Sequence, residues 1–383
     1  FPYTTLFRSE MSVTVGEIVN VLNTWAPLSL KESWDNPGLL IGNPDETVDK
    51  LLVTLDVMMD TVDYAIEQGV TMIVSHHPVI FDGLKSLRTD TYNGAMYQKL
   101  LTHHIAVYSA HTNLDSADGG VNDVLAGLLG LTDVEGLVPV SEDKLYKIAV
   151  YVPESHSDAL RKALADSGAG YIGNYSDCSF TVKGEGRFKP HEGTNPFIGS
   201  VGKVETVAEE RIETIVPESL LNQVLPAMVK AHPYEEPAYD IYPLKNAVHS
   251  FTMGRVGNWP TPEPAAAVLR KIKDILHRDA LSYAGDTDVT VRRVALLGGG
   301  GAGFINLAKQ AGADLYLTGD MKYHDAQEAF KQGIVVVDGG HFGTESPVVD
   351  DLCRRLIEAS AEHHWDIDCQ RDPTSRDMIQ SLI

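Results

Sequence analysis

Cysteine is scarce in this chain. There are three in 383 residues, Cys178, Cys353 and Cys369, far apart and without a Cys-x-x-Cys pair. That excludes a disulfide scaffold and a zinc ribbon, and it fits a reducing, cytoplasmic compartment. Long apolar runs are missing as well. None reaches the roughly 18–20 residues that a bilayer-spanning helix needs, so no membrane segment is read. Basic residues are outnumbered, 31 Lys and Arg against 53 Asp and Glu, giving a formal charge of −22. Such a surface repels phosphate backbones, which argues against a nucleic-acid partner, and it attracts cations. Most of the acidic residues read as a solvated face. The first ten residues, Phe1 to Glu10, do not share the patterning of the remaining chain and lack the apolar core of a signal peptide. They read as an extraneous leader, with the natural chain starting at Met11.

What is present is an ordinary globular composition, 43% hydrophobic and 22% charged, long enough for two or three domains. From residue 11 to 136 short apolar runs (51–57, 71–75, 105–109) alternate with helical patterns (15–25, 58–69, 93–103, 119–129). That alternation implies an α/β fold with parallel strands and crossovers. The pattern changes near residue 137. Strand 144–152, helix 157–167, hairpin strands 177–182 and 199–204, strand 211–216, helix 217–231 and strand 238–242 follow the split βαβ, ferredoxin-like order. Residues 137–248 therefore read as an α+β module inserted into the first domain. The α/β pattern resumes over 249–369, with helix 261–276, strands 291–297, 315–318 and 334–338, and a helix from 347. The tail after Trp365 is polar and reads as loose, with 370–383 outside the domain.

Every strongly polar cluster lies just after a strand. Met72-Ile-Val-Ser ends in His76-His77-Pro78, and the others are His111 to Asp115, Asp320 to His324 and His341 to Glu345. In a parallel sheet these strand ends share one edge, where open α/β sheets place ligands. His341 and Glu345 share a face if their segment turns helically. The converging set is His76, His77, Asp115, His341 and Glu345. Three imidazoles and two carboxylates exceed the needs of one catalytic zinc. They suit two divalent ions roughly 3.5–4 Å apart that activate a bridging water. The sulfur-free donors favour zinc, iron, manganese, cobalt or nickel. Both adjacent histidines can serve one cluster only if the strand has broken after Ser75, which Pro78 helps impose. His111 and His324 are candidates for proton transfer or for supporting the ligands. A rival signal is Gly298-x-Gly300-x-x-Gly303 after a strand, with Asp320 beyond it, the dinucleotide-binding spacing. A tight turn that lets backbone approach a neighbour explains four consecutive glycines equally well.

At the segments SWDNPGLLIG (33–42), SHHPVIF (75–81), HTNLD (111–115), TGDMKYHD (318–325) and GHFGTESP (340–347) the chain resembles a known family. These are the dinuclear metal-centre hexameric proteins, called GTP cyclohydrolase 1 type 2 homologues and NGG-interacting-factor-three-like proteins. The resemblance implies two similar α/β halves and metal ligands at His76, His77, Asp115, His341 and Glu345, with Glu345 bridging. It further implies a homohexamer built as a trimer of dimers, and a PII/CutA-like insert over 137–248. The activity it suggests is metal-dependent hydrolysis of a nucleotide or similar compact anion. A non-catalytic, metal-binding regulatory or chaperone-like ring with a ligand-sensing insert is the alternative.

Overall fold

A computed structural model describes residues 12–246, 249–380 and 382. The leader read at 1–10 lies outside the described residues, as does the end of the insert at residue 248. The chain divides into two compact units: the described residues of Phe1–Ser141 with Phe251–Ile383, and Glu142–Ser250.

The first unit holds two sheets with parallel centres. In one, Lys50–Thr54, Met72–Ser75 and Ala106–Ser109 run parallel, with Gly38–Ile41 antiparallel on one edge. The sequence of these strands is almost wholly apolar because helices cover both faces. Leu51, Val53, Met72 and Val74 pack with Ile18, Leu22, Leu352 and Leu356 of helices Val15–Trp25 and Pro347–His363. Their neighbours Leu52, Ile73 and Val107 point the opposite way, onto Val62, Ala65, Tyr97 and Leu100 of helices Met59–Gln68 and Tyr92–Thr102. The two-residue period of a strand makes this division. In the other sheet Thr290–Leu296, Leu315–Thr318 and Val335–Asp338 are parallel. Ser282–Ala284 flanks them on one side and His249–Pro264 on the other, both antiparallel, with Thr132–Asp143 at the far edge.

The second unit is a four-stranded antiparallel sheet with helices Ser157–Asp166 and Leu221–Ala231. Its strands follow the order Tyr239–Pro243, Leu145–Pro153, Glu205–Pro217, Ser179–Phe188. Ile148, Val150, Val152, Ile212 and Val216 pack with Leu160, Leu164, Val224 and Met228 of the helices.

Three expectations from the sequence change. Residues 199–204 are turn, and one strand, Glu205–Pro217, replaces the two expected there. The helix expected from 261 starts at Ala265, because strand His249–Pro264 runs on to Pro264, whose fixed φ of −60° then opens the helix. The tail is not loose. Asp368–Arg371 adds a fifth strand, parallel to Lys50–Thr54, and Ile367 and Cys369 pack on the core. The Cys369 sulfur lies 3.6 Å from that of Cys353, a proximity that their spacing does not reveal.

Beyond that strand Asp372 is buried, 2% exposed. Its Oδ2 lies 3.0 Å from the Thr54 hydroxyl and 2.9 Å from that of Thr61, and its Oδ1 accepts the Thr374 N–H at 2.8 Å. Asp372→Ala removes the buried carboxylate that ties the C-terminal segment to Thr54 and Thr61, leaving those hydroxyls to the Asp56 carbonyl and the Thr374 N–H without its acceptor. It is expected to cost about 1–3 kcal/mol in chemical denaturation and to expose the C-terminal strand to proteolysis. Unchanged stability and protease resistance would show that the strand is held by packing alone.

Candidate metal site

The site is made from strand ends of the first unit. Regular pairing stops at Ser75, whose hydroxyl donates to the His77 carbonyl at 2.8 Å and bends the chain there. With the pleat broken, both imidazoles face one space, their ring centroids 5.0 Å apart. After strand Ala106–Ser109, His111 precedes the one-turn helix Thr112–Ser116, which carries Asp115 inward. After Val335–Asp338, Gly340 takes a φ of +78° and the short helix His341–Glu345 starts at once, so His341 and Glu345 share a face.

Each imidazole is oriented from behind. His76 Nδ1 lies 2.8 Å from the Ala110 carbonyl, which can only accept, so Nδ1 carries the proton. His77 Nδ1 meets Asp56 at 2.7 Å, His341 Nδ1 meets Asp320 at 2.7 Å and His111 Nδ1 meets Asp35 at 2.8 Å. In its neutral form each ring therefore carries its proton on Nδ1 and turns Nε2 inward. There His77 Nε2 lies 2.9 Å and His341 Nε2 3.1 Å from Glu345 Oε2, and the two nitrogens are 3.3 Å from each other. His76 Nε2 lies 3.7 Å from Asp115 Oδ1 and 3.7 Å from Glu345 Oε1. Among the described residues, His76 Nε2 and Asp115 Oδ1 are buried atoms with no hydrogen-bond partner. Two such atoms buried 3.7 Å apart are costly unless positive charge, a proton on His76 or a metal ion, lies between them. Three groups of donor atoms can hold an ion: His77, His341 and Glu345; His76, Asp115 and Glu345; and His76, His77 and His111. The first two share Glu345. The residues therefore fit a metal.

The electrostatics agree. Burial alone would raise the Glu345 pKa, but charge on His76, 3.7 Å away, and the close Nε2 atoms of His341 and His77 hold it well below the usual carboxylate range. Burial pushes Asp115 up to about 6, against the pull of His76. Burial opposes charge on His77, yet its hydrogen bonds to Asp56 and Glu345 raise it to about 10. The Glu345 bond, opposed by burial, brings His341 to about 9. Burial likewise works against the Asp35 carboxylate, but His111 and Thr112 hydrogen bonds keep it at about 2.

All five residues expected as ligands are thus brought together, and His111 joins them. His324 does not. The chain enters helix Tyr323–Gln332 one residue earlier, and this leaves the ring exposed with Nδ1 3.1 Å from Gln327. Sequence reasoning alone missed Asp56 and Asp35. Asp56 follows a parallel strand and would have been found by the strand-end rule itself. Asp35 lies inside the SWDNPG segment, next to Trp34, whose ring also lines the site. Trp34, Phe81 and Phe304 wall a cleft of about 590 Å³ above His77, His111 and Glu345. The glycine run has another purpose than a dinucleotide turn. A Cβ on Gly299, where φ is +66°, would lie 2.1 Å from Glu345 Oε1. Asp320, the acidic residue of that fingerprint, is engaged by His341. The next helix, Ile305–Gln310, has only six residues.

The sequence profile of Duf34/NIF3 (NGG1p interacting factor 3) matches residues 13–376. A "GTP cyclohydrolase 1 type 2 homolog" of Halalkalibacterium halodurans is 44% identical over 332 residues, 86% of this chain and 89% of the relative. One from Bacillus subtilis is 44% identical over 345 residues, 90% and 92% of the two chains. The crystal structure of a Bacillus cereus protein related to NIF3 superposes with a TM-score of 0.88 at 40% identity, covering 96% of this chain and 99% of that one.

Two results are expected from this geometry. A cation entering the cluster must displace the protons on His77 and His341. Affinity should therefore rise as pH increases toward about 9–10 and level off above, and fall further below about 6, where Asp115 also takes a proton. Chelator competition between pH 6 and 10 measures this, and pH-independent affinity would contradict it. Asp56→Ala and Asp320→Ala, which remove the supports and not the ligands, should each weaken metal binding about 10–100-fold with the fold unchanged. Wild-type affinity in both would mean that the rings need no support.

Proposed function

The chain belongs to the Duf34/NIF3 family, and on that premise we propose that it is a dinuclear divalent-metal protein, a metal-dependent hydrolase of a nucleotide or similar compact anion. The observation that carries this reading is the pair of buried, unpartnered atoms His76 Nε2 and Asp115 Oδ1 beside a carboxylate shared by two donor groups. His77 and His341 with Glu345 would hold one ion, and His76 and Asp115 with Glu345 the other. Zinc, iron or manganese suits these nitrogen and oxygen donors. Such ions supply water activated at neutral pH and positive charge for an anionic substrate.

The remaining roles belong to the chain's own side chains. Glu345, kept ionised by its three imidazole neighbours, balances charge at the centre. His111, fixed through Nδ1 by Asp35, presents Nε2 to the cleft and is positioned to move a proton there. Trp34, Phe81 and Phe304 limit water and present flat apolar surface to a ring-bearing substrate. We read the two sheets of the first unit as related halves and Glu142–Ser250 as a ferredoxin-like, PII/CutA-like module. The assembly is proposed as a homohexamer, a trimer of dimers, working in the cytoplasm, where its free thiols stay reduced. The second reading, a non-catalytic ring with a ligand-sensing module, draws on a cavity of about 590 Å³ in that module, lined by Gly184, Glu209, Arg211 and Tyr234.

Elemental analysis should find two metal equivalents per chain in the wild type and a loss of both in Glu345→Ala, with assembly size unchanged. Nucleotides and phosphoesters screened on zinc-, iron- and manganese-loaded protein should reveal turnover that Glu345→Ala abolishes. Full occupancy in the variant would refute the site. Full wild-type occupancy without turnover of any anion would favour the second reading.

A further inference from the structure

The second unit contains a built cavity of about 590 Å³ that the metal chemistry leaves unexplained. We propose that it binds a planar nitrogen heterocycle that offers N–H donors on one edge and a carbonyl beside them.

The floor is flat because of where glycine falls. Gly184 and Gly186 alternate along strand Ser179–Phe188 and so sit on the same face of the sheet. Gly184 pairs with Glu209 on the neighbouring strand, and a Cβ built on it meets nothing within 4 Å. A Cβ on Gly186 would lie 2.0 Å from Glu209 Oε2. Glycine inside a strand weakens it and commonly marks a place where a ligand or another backbone comes close. Around this floor stand aromatic rings. Phe188 and Tyr234 lie 5.6 Å apart between centroids, and Phe197 lies 6.4 Å from Tyr234. Such rings favour a flat partner.

Two polar groups set the donor pattern. Glu209 is 8% exposed, and its Oε1 accepts the Tyr234 hydroxyl at 2.9 Å. A carboxylate has lone pairs to spare after one such bond, so it can take N–H donors from a ligand. Arg211, two residues along the same strand and on the same face, has a buried Nε with no hydrogen-bond partner. Its Nη2 pairs with Glu213 at 2.8 Å. The Nε–H therefore lacks an acceptor, which a ring carbonyl would provide. Carboxylate and guanidinium side by side against aromatic rings select a heterocycle with both donor and acceptor edges.

Calorimetric titration of the full-length protein with guanosine, uridine and adenosine tests this. Guanosine and uridine carry N–H beside C=O, whereas adenosine has no carbonyl. Guanosine or uridine should bind saturably at one site per chain, with adenosine about tenfold weaker or worse. Gly184→Val fills the floor where open space is available and so should fold normally, with an unchanged circular dichroism spectrum, while losing binding at least about tenfold. Glu209→Gln should do the same. Glu345→Ala should bind as wild type does, which separates this cavity from the metal cluster. Absence of saturable binding by guanosine and uridine would overturn the proposal, and so would binding that survives Gly184→Val or disappears in Glu345→Ala.

Discussion

Outward hydrogen bonds through Nδ1 are the constraint on which the site depends. Asp56, Asp320, Asp35 and the Ala110 carbonyl each take the proton of one imidazole, and so fix four rings with Nε2 inward. Without these bonds the rings could rotate or exchange tautomers, and the inward lone pairs would be lost. With them, His77 and His341 are held 3.3 Å apart, nitrogen to nitrogen, and His76 Nε2 faces Asp115 Oδ1 at 3.7 Å without a hydrogen bond. An arrangement so costly in a bare protein is stable only around positive charge. The fold accepts it because each donor stands at the end of a deeply packed strand or on the turn of helix just beyond it.

The sheets supply that rigidity. The strands Met72–Ser75, Ala106–Ser109, Leu315–Thr318 and Val335–Asp338 are almost wholly buried, and the ligating side chains come just after such strands stop. The glycines after Leu297 complete the arrangement, because any side chain at Gly299 would occupy the place of the Glu345 carboxylate.

Much of this is legible in the sequence. The apolar runs ending in His76-His77, in His111 to Asp115 and in His341 to Glu345 show the parallel strands and their reactive ends, although the expected single edge is two, since His341 and Glu345 follow a strand of the second sheet. Spacing also puts His341 and Glu345 on one helical face. The missing parts depend on tertiary placement. Asp35 precedes its strand, Gly38–Ile41, where a rule that looks just after strands does not reach, and meets His111 only through folding. His324 obeys the same strand-end rule, yet the helix begins at Tyr323 and carries its ring away. The tail reads as loose because Asp368–Arg371 has little apolar pattern of its own. An edge strand needs only backbone pairing and the buried contacts of Cys369 and Asp372. Of the strand Glu205–Pro217 only 211–216 reads as strand, because its first half carries charges that suit an exposed end of sheet.

The central claim is that the cluster holds two ions that share Glu345. Anomalous diffraction at the manganese edge, from crystals grown with that metal, tests it most directly. Two peaks are expected in each chain, one among His77, His341 and Glu345 and the other among His76, Asp115 and Glu345. A single peak, or peaks away from Glu345, would contradict it.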